Sequence, residues 1–433
     1  MQPQITAKIE KLSHDGRGIA HINGKTTFIE RALPGEEVSI EYLRKRSKYD
    51  EAKAIEIITA SSERVTPKCP HFSICGGCSL QHIKPEAQIQ LKQEILIEQL
   101  KHFAGITPEE ILPPLTGDAW HYRRKARLGV KFVAKKNKVI VGFRERNGRY
   151  LADLQSCAIL QLSVGEKLLE LGKLVQSLSI NDQIPQIEVA CGDDSTTLIF
   201  RCMTPPTTED LEKIREFAKR YVITIYLQNK GLDSVELFFN PIEKRLCYRL
   251  DNYNLEMLFT PIDFVQVNAS INQQMIDHVL ALLDLKPEDT VLDLFCGLGN
   301  FTLPIARHCQ KVIGIEGESG LVKRAEENAR HNNIKNAQFY RADLALANED
   351  TVWRQIKYTR ILLDPPRTGA ENICHYLPNF GAEKIVYVSC NPATLARDCK
   401  ILSTKGYVLI KTGVMDMFPH TSHVESVAEF HRK

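Results

Sequence analysis

The sequence lacks the features of membrane, secreted and fibrous proteins. No run approaches the ~20 consecutive apolar residues that a membrane-spanning helix needs, and the start MQPQITAKIEKL lacks the basic-then-apolar pattern of a signal peptide. Only 24 glycines and 20 prolines occur in 433 residues, which excludes collagen-like and low-complexity chains. At roughly 150 residues per domain, this length predicts about two to four domains. We therefore expect a soluble, multidomain, cytoplasmic protein without a membrane partner.

The sequence also has little net charge, at +3, but the charge is unevenly distributed. Residues 121–149 contain eleven of the 56 Lys and Arg residues and one of the 53 Asp and Glu residues, which gives this segment +10 and the remainder −7. Such an excess favours contact with a polyanion, most simply the phosphate backbone of a nucleic acid, over a solvated basic face. Tyr122, Phe132 and Phe143 within it suit base stacking or the buried side of alternating strands.

Disulfides are not expected among the twelve cysteines of a cytosolic chain. Three cysteines fall within ten residues around a Gly-Gly turn, and the cysteine of DLQSCAIL is the best candidate to join them. The candidate ligands are Cys69, Cys75, Cys78 and Cys157. Zinc would combine such thiols with His71 or His82, whereas an iron–sulfur cluster prefers four thiolates. The spacing favours a metal centre and places the iron–sulfur cluster slightly ahead of zinc.

The first two thirds of the chain predict two domains. Residues 1–62 show five short alternating segments separated by turns such as Asn23-Gly24, which predicts a small OB-type β-barrel, used for nucleic-acid binding or only for packing. Residues 63–262 contain the cysteines, a helical pattern that ends at Gly105, and then a β-rich pattern interrupted by helices. We predict an α+β middle domain here.

Residues 263–433 alternate between strand and helix patterns, which predicts a doubly wound α/β domain of about seven strands. A glycine-rich loop with Gly297 and Gly299 follows the first of these strands, and Glu316 ends the next, where a carboxylate can bind ribose hydroxyls. Asp343 ends the third strand, in position to meet an adenine amino group. Thr302 replaces the third glycine of the dinucleotide fingerprint, which favours S-adenosylmethionine over a nicotinamide cofactor.

The ends of the fourth and fifth strands carry Asp364, in the tetrapeptide DPPR, and Cys390. A DPP sequence is otherwise only a turn, and a cysteine in a strand is usually a small buried hydrophobe. Over a cofactor site, however, Cys390 is better interpreted as a nucleophile. Because C5 of a pyrimidine is a poor nucleophile, thiolate addition at C6 is needed to make C5 attack a methyl group. A base must then remove the C5 proton, for which Glu425 is our candidate and His423 its rival.

Five motifs together resemble the RNA uracil-C5 methyltransferase family. They are FVQVN at 264–268, DLFCGLGNF at 293–301, LLDPPRTG at 362–369, VSCNPATLARD at 388–398 and HTSHVES at 420–426. With the cysteine cluster and an N-terminal barrel similar to a TRAM domain, the resemblance covers nearly the whole chain. Cytosine-C5 enzymes typically carry Pro-Cys in the fourth-strand motif. This chain has Pro365-Pro366 there, which argues against cytosine as the target base.

The resemblance implies a set of site residues. Cys390 would be the nucleophile and Glu425 the base. The four cysteines would hold a [4Fe-4S] cluster, and the contacts to S-adenosylmethionine would be Gln266, Phe295, Asn300, Glu316, Asp343 and Asp364. Gln266 and Asp364 would also face the uracil.

The resemblance also implies the substrate, because family members with both barrel and cluster modify 23S rRNA. We expect a monomer without an obligate protein partner. In this family the helix of residues 85–104 packs with the catalytic domain, so the segment 85–120 can belong there. Methylation of a second 23S site or of tRNA, and a non-catalytic RNA-binding iron–sulfur module, are the alternatives.

Overall fold

The computed structural model describes residues 5–146, 148–344 and 351–433. Its N-terminal part is a six-stranded sheet in the order β1-β5-β6-β4-β3-β2. The strands are β1 (Ile5–Lys8), β2 (Lys11–Leu12), β3 (Gly18–Ile22), β4 (Lys25–Glu30), β5 (Glu37–Lys45) and β6 (Asp50–Thr59). The sequence pattern predicts five strands, because it joins β1 and β2. They are separate because Ile9 N–H donates to Glu36 O and Glu10 N–H to Ile19 O, so the chain changes its pairing partner there. Closure into a barrel stays a prediction.

The helix after the cysteine segment belongs structurally to the C-terminal sheet. Helix α1 (Pro85–Gln99) continues into a π-helical turn, Leu100–Ala104, which ends at Gly105 in the left-handed conformation (φ 68°). Ile89, Leu96 and Leu100 are buried in the same hydrophobic core as strands of that sheet. The short strand β7 (Glu110–Ile111) pairs with the edge of the sheet as well.

The middle of the chain forms a second six-stranded sheet in the order β13-β12-β11-β10-β8-β9. Its elements are β8 (Lys125–Val133), β9 (Lys138–Gly142), α2 (Leu162–Gly165), α3 (Leu168–Ser177), β10 (Gln186–Cys191), β11 (Thr196–Arg201), α4 (Thr208–Tyr221), β12 (Thr224–Gln228) and β13 (Val235–Phe239). A separate hairpin follows, β14 (Cys247–Leu250) with β15 (Leu255–Leu258). We did not predict β10, although its residues alternate in burial as a strand requires.

The basic segment 121–149 does not form one charged face. Arg124 pairs with Asp193 at 2.6 Å, and the half-buried Lys125 donates to Pro261 O at 2.5 Å. The hairpin tip with Lys135 remains exposed. The aromatic side chains of the segment are buried or half-buried, so they are the inner side of strands and not a stacking surface. Part of the positive charge of this segment therefore serves the fold.

The C-terminal part is an eight-stranded sheet in the order β18-β17-β16-β19-β20-β22-β21-β7. Its elements are α5 (Ala269–Leu283), β16 (Thr290–Leu294), α6 (Thr302–Ala306), β17 (Lys311–Glu316), α7 (Ser319–His331), β18 (Ala337–Arg341), β19 (Arg360–Leu363), α8 (Glu371–Cys374), β20 (Lys384–Ser389), α9 (Pro392–Thr404), β21 (Tyr407–Met415) and β22 (Glu425–Arg432). Strands β16 to β20 are parallel, and β22 lies antiparallel between β20 and β21. The central strands are mostly apolar, as is usual for strands covered on both faces, and the buried Asp293 in β16 is an exception.

All seven predicted strands of this sheet are present, and β7 adds an eighth from the segment before the middle sheet. The limits proposed for the three domains stay predictions. Among the helices of the described residues, none has the length and apolarity to cross a bilayer.

Candidate active site

A cleft of about 490 Å³ opens at the carboxyl ends of the parallel strands β16, β17, β19 and β20. Open α/β sheets bind ligands at this edge, where the strand order reverses. The chain supplies carboxyl, thiol, amide and aromatic groups to the cleft. They include Tyr248, Phe264, Gln266, Phe295, Gly297, Asn300, Glu316, Asp364, Arg367, Cys390, His423 and Glu425. The cleft therefore brings together all but one of the predicted cofactor and catalytic residues.

The loop after β16 forms one wall. Phe295, Gly297 and Gly299 all have positive φ, at 64°, 56° and 95°. This winding turns the Gly297 N–H toward Glu316, whose Oε2 accepts it at 3.0 Å, while Oε1 accepts the Glu318 N–H at 3.0 Å. Glu316 is thereby fixed at the end of β17 with its carboxylate beside the glycine-rich loop.

A group of three side chains fixes the far end of this loop. Tyr248 on β14 donates its hydroxyl to Asn300 Oδ1 at 2.8 Å, and Asn272 on α5 exchanges two amide hydrogen bonds with Asn300, at 2.9 and 3.0 Å. The hairpin β14–β15 therefore reaches the cleft from outside the large sheet. Asn300 Oδ1 thus accepts two hydrogen bonds and Nδ2 donates one, so these partners fix the side chain and the loop while one N–H of Nδ2 has no partner in these bonds.

Asp293 is buried below the cleft, whereas the half-buried Asp364 lines it. Burial raises the pKa of Asp293 to about 7. The hydrogen bond that its Oδ2 accepts from Thr302 at 2.5 Å lowers the pKa, but by less than burial raises it. Burial also raises the pKa of Asp364 to about 7. The Asp364 carboxyl has no hydrogen-bond partner among the described residues, so its oxygens are available to a ligand.

Cys390 and Glu425 are neighbours because of the sheet topology. Cys390 follows β20 and Glu425 begins β22, and the register pairs Ser389 with Ser426. Burial, with the nearby charges of Glu425 and Asp364, raises the pKa of the Cys390 thiol to about 11. Burial, with Asp364, raises the pKa of the Glu425 carboxyl to about 8. Glu425 is only 5% exposed, and its carboxyl has no hydrogen bond to any described residue. Since no hydrogen bond stabilises the ionised form, the neutral acid is favoured.

His423 is held differently from Glu425. Burial and the adjacent Arg367 lower its pKa to about 4, so the ring is neutral at physiological pH. Arg367 Nη2 donates to His423 Nδ1 at 3.0 Å, and the ring packs against Phe418 at a centroid distance of 5.2 Å. The His423 ring lies between the DPPR loop and the loop before β22 and contacts both. This placement fits a positioning role for His423 better than the role of a base.

Two outcomes differ from the predictions. Asp343 lies two residues beyond β18, is exposed, and does not line the cleft. Phe264, which we did not single out, is 67% exposed at the mouth of the cleft. A large exposed aromatic side chain at a cleft is a signal of ligand contact, but the sequence does not show exposure.

The four predicted metal ligands line one small, largely apolar cavity. Cys69, Cys75, Cys78 and Cys157 surround it together with Phe72, Phe143 and Ile159. The cysteine segment is hydrogen-bonded to the strand end after β9, because the Gly76 N–H donates to Arg144 O at 2.9 Å. The Gly77 N–H donates to Cys75 Sγ at 3.3 Å.

These thiols are close enough to affect each other. Burial, together with the neighbouring thiols, raises the pKa of Cys75 to about 11 and that of Cys78 to about 12. Among the described residues, however, no three His, Cys, Asp or Glu side chains are placed to hold one metal ion. Metal binding by these four cysteines therefore stays a prediction.

The sheet has the antiparallel strand β22 inserted between β20 and β21, and its cleft lies at the end of β16. These two features define a Rossmann-like fold of the S-adenosylmethionine-dependent methyltransferase class. Comparison with known proteins is more specific. The family model tRNA (uracil-5-)-methyltransferase matches residues 85–433, and the TRAM-domain model matches residues 4–55. The chain therefore belongs to the RNA uracil-C5 methyltransferase family, as its motifs predicted, and carries an N-terminal TRAM domain.

Individual relatives match over the whole chain. The protein named 23S rRNA (uracil(1939)-C(5))-methyltransferase RlmD is 49% identical in Alkalilimnicola ehrlichii, over 98% of this chain and 96% of that protein. Its namesake in Hahella chejuensis is 50% identical over 100% and 98%. Among solved structures, the tRNA (uracil-54, C5)-methyltransferase of Pyrococcus abyssi has a TM-score of 0.76 at 24% identity, and covers 98% of this chain and 100% of its own. This likeness shows a shared fold.

Proposed function

We propose that this protein transfers a methyl group from S-adenosylmethionine to C5 of a uridine in 23S rRNA. The observation that carries the proposal is the pairing of Cys390 and Glu425 on neighbouring strands above one cleft. Binding alone requires neither a nucleophile nor a base. The relatives named as 23S rRNA (uracil(1939)-C(5))-methyltransferases, about half identical over their full length, favour this RNA over others.

The reaction begins and ends at Cys390. Its thiolate forms a bond to C6 of the uracil, and the electron pair of the C5–C6 double bond moves toward C4 as an enolate. S-adenosylmethionine, when bound, supplies an electrophilic methyl group to C5. Glu425 then removes the C5 proton, the double bond re-forms, and the Cys390 sulfur leaves as a thiolate. The balance closes because the cofactor leaves as neutral S-adenosylhomocysteine and the C5 proton stays on Glu425. The thiol proton, lost to solvent before Cys390 attacks, is regained after the sulfur leaves.

The protonation states suit this order of steps. With a pKa of about 8, Glu425 exchanges a proton near neutral pH, where a general base is most effective. The Cys390 thiol, at about 11, is mostly protonated in the free protein. Arg367 lowers the pKa of both groups, and its guanidinium lies at the junction of the cleft with a neighbouring groove.

The cofactor would occupy the wall made by the glycine-rich loop. Glu316 would accept hydrogen bonds from the ribose hydroxyls, Phe295 would contact the adenine face, and Asn300 would hold the loop between them. Gln266 and Asp364 would face both the cofactor and the uracil. Asp343 would meet the adenine amino group only if the cofactor extends beyond the cleft, so we rank this contact last.

We propose that the four cysteines hold a [4Fe-4S] cluster. In such a cluster each thiolate binds a different iron, so the sulfurs stand farther apart than around a single ion. Four thiols around one cavity without a mononuclear site among the described residues favour this cluster over zinc, and His71 is already used as a hydrogen-bond acceptor for Gln155 N–H. With no evident electron partner, its role would be to join the cysteine segment to residue 157.

The cluster proposal has a direct spectroscopic test. Protein prepared without oxygen should be brown, with broad iron–sulfide absorption near about 400 nm. Cys157→Ala should lose this absorption, whereas Cys202→Ala, a buried cysteine elsewhere, should keep it. A colourless preparation with stoichiometric zinc would instead support the mononuclear alternative.

The substrate is tested by methyl transfer from labelled S-adenosylmethionine to unmodified 23S rRNA and unmodified tRNA, offered separately. Label in 5-methyluridine of 23S rRNA alone is the expected result. Label in tRNA would retain the chemistry and change the substrate. If neither RNA is methylated by protein with an intact metal centre, a non-catalytic RNA-binding module becomes the better proposal. We further propose that the enzyme acts in the cytoplasm as a monomer.

A further inference from the structure

Most of the connection between β21 and β22, residues 416–424, is buried except around the exposed His423, although hairpin connections normally lie on the surface. His420 is 3% exposed and Thr421 is 7% exposed. This connection ends at Glu425, so whatever holds it also places the proposed base. Its contacts come from parts of the chain more than 290 residues earlier.

The cysteine segment makes the first set of contacts. The backbone N–H groups of Ser79 and Leu80, next to the proposed ligand Cys78, both donate to His420 O at 2.9 Å. Ser79 Oγ also accepts the Ser422 N–H at 3.1 Å. The cysteine segment is thus hydrogen-bonded directly to the connection that leads to Glu425.

Helix α1 makes the second set through two buried side chains, Gln88 and Lys92. Lys92 Nζ donates to Asp416 Oδ1 at 2.6 Å and to Phe418 O at 3.0 Å. Gln88 is 1% exposed, and its Oε1 accepts the His420 N–H at 2.9 Å. Its Nε2 donates to His420 Nδ1 at 3.2 Å and to Ile83 O at 2.8 Å. Burial lowers the pKa of His420 to about 4, so this ring is neutral and its Nδ1 can accept.

His420 itself is held in a costly conformation. Its φ is 66°, in the left-handed region that non-glycine residues rarely adopt. The ring of Trp120 stacks on the His420 ring at a centroid distance of 4.1 Å. Strain of this kind persists only where the surroundings fix the residue, and here Gln88, Trp120 and the Ser79 turn do so.

We propose that Gln88 and His420 are positioning residues for Glu425, and that through them the cysteine segment sets the rate of the last step of the reaction. The proposal rests on the proposed function. Cys390 lies between β20 and α9, outside the 416–424 connection. Loosening the connection therefore displaces the base and leaves the nucleophile in place. The covalent adduct still forms, and proton removal from C5 slows.

The test compares Gln88→Leu with Gln93→Leu in the full-length protein with its metal centre. Both substitutions remove one amide from α1, but Gln93 Oε1 has no hydrogen-bond partner within the described part of the chain. Because Gln88→Leu removes all three side-chain hydrogen bonds of Gln88, we expect kcat to fall at least about tenfold, with KM for RNA unchanged. Protein–RNA adduct should accumulate on a denaturing gel. Gln93→Leu should behave as the parent protein does.

Gln88→Glu supplies the rescue. A buried carboxylic acid retains an acceptor for the His420 N–H and a donor for Nδ1, so this variant should release product faster than Gln88→Leu. Equal slowing of adduct formation and release, or no accumulation of adduct, would overturn the proposal.

A second measurement does not depend on catalysis. Amide hydrogen exchange in residues 417–424 should be at least about tenfold faster in Gln88→Leu than in Gln93→Leu. If the parent protein methylates no RNA, the proposed function fails, yet this exchange still reports on the hydrogen-bonded connection. Unchanged exchange at 417–424 would refute the positioning role on its own.

Discussion

At the scale of single residues, the site is built from groups that burial makes difficult to ionise. A thiol with a pKa of about 11 and a carboxyl with a pKa of about 8 face each other across one cleft, and Asp364, at about 7, adds to the repulsion. Neither Glu425 nor Asp364 is compensated by a hydrogen bond from the described residues. Such uncompensated acids cost stability and are typical of catalytic sites. Their chemistry can be tested one side chain at a time.

Replacing the nucleophile should abolish turnover. Cys390→Ala removes the sulfur that activates C5, so we expect no detectable 5-methyluridine and no covalent adduct with RNA, while RNA still binds. Cys247→Ala is the matched control, because Cys247 is also half-buried with a pKa raised to about 11 but lies outside the cleft. Residual methylation by Cys390→Ala above background would refute the covalent mechanism.

Replacing the base should separate the two halves of the reaction. Glu425→Gln retains shape but cannot accept a proton, so we expect methylated adduct to accumulate without release. In the parent protein the rate of release should rise with pH up to about 8, because only the ionised carboxylate removes the C5 proton. Release by Glu425→Gln at the parent rate, or a release rate that falls between pH 6 and 8, would exclude Glu425 as the base.

The same group predicts how stability depends on pH. Burial raises the pKa of Glu425 in the folded state, so the folded protein binds more protons than the unfolded chain between about pH 4.5 and 8. Stability therefore falls as pH rises through that window. Glu425→Gln removes this loss, and chemical denaturation of the protein without cofactor should show a smaller decrease between pH 6 and 8 than in the parent. A decrease of equal size in both would contradict the assignment of this pKa.

At the scale of elements, the loop after β16 shows why glycine is needed at one position. Gly297 has φ 56°, and a Cβ added there would meet no atom within 4 Å, since it would enter the open cleft. Gly297→Ala should lower the free energy of unfolding by about 1 kcal/mol through backbone strain. It should weaken S-adenosylmethionine binding further by narrowing the cleft.

Gly231→Ala is the control for this loop, because Gly231 also has open space around it but an extended backbone with a φ of −74°. It should change neither stability nor cofactor binding. Calorimetric titration and denaturant unfolding measure both quantities. Cofactor affinity unchanged in Gly297→Ala would argue that the cofactor does not approach this loop.

Elements with a strong local pattern were predictable from the sequence. The strands β16, β17, β19 and β20 are largely apolar runs that each lead into a predicted site residue. This pattern alone predicts that Glu316, Asp364 and Cys390 meet at one edge of a sheet. Weak or short elements were not predictable. The first two outward-facing positions of β10 are both polar, which shortens its apolar run. The strand β7 has two residues, and both are exposed.

Contacts across long sequence separations were equally hidden. Gln88 is one polar position on a helical pattern, and nothing near it in the chain indicates that its amide holds His420, 332 residues later. The exposure of Phe264 and the absence of Asp343 from the cleft also depend on how loops are placed. Motifs can identify chemistry, but the residues that position it come from packing.

At the scale of the whole molecule, three parts of the chain meet beside the active site. A cavity of about 330 Å³ lies between the N-terminal sheet, the cysteine segment and the strand end after β9, and is lined by Arg17, Arg31 and Arg146 together with the carboxylates of Asp15 and Glu30. A second groove of about 290 Å³ reaches Cys390 and is lined by His14, next in sequence to Asp15 of the first cavity, and by Ser422. An RNA strand entering the cleft by this path would pass the three guanidinium groups.

This path predicts which charges hold RNA. Arg17 uses one of its donors on Asp15, at 2.8 Å, and retains others for a phosphate. Arg17→Gln should weaken binding of a 23S rRNA fragment about tenfold and reduce the salt dependence of log K by about one counterion. Lys230→Gln, the same loss of charge at an exposed lysine outside both grooves, should do neither. Because kcat at saturating RNA depends on Cys390 and Glu425, it should stay unchanged in Arg17→Gln. If instead Lys230→Gln weakens binding as much, RNA is attracted by overall charge, and the three arginines do not guide it to the cleft.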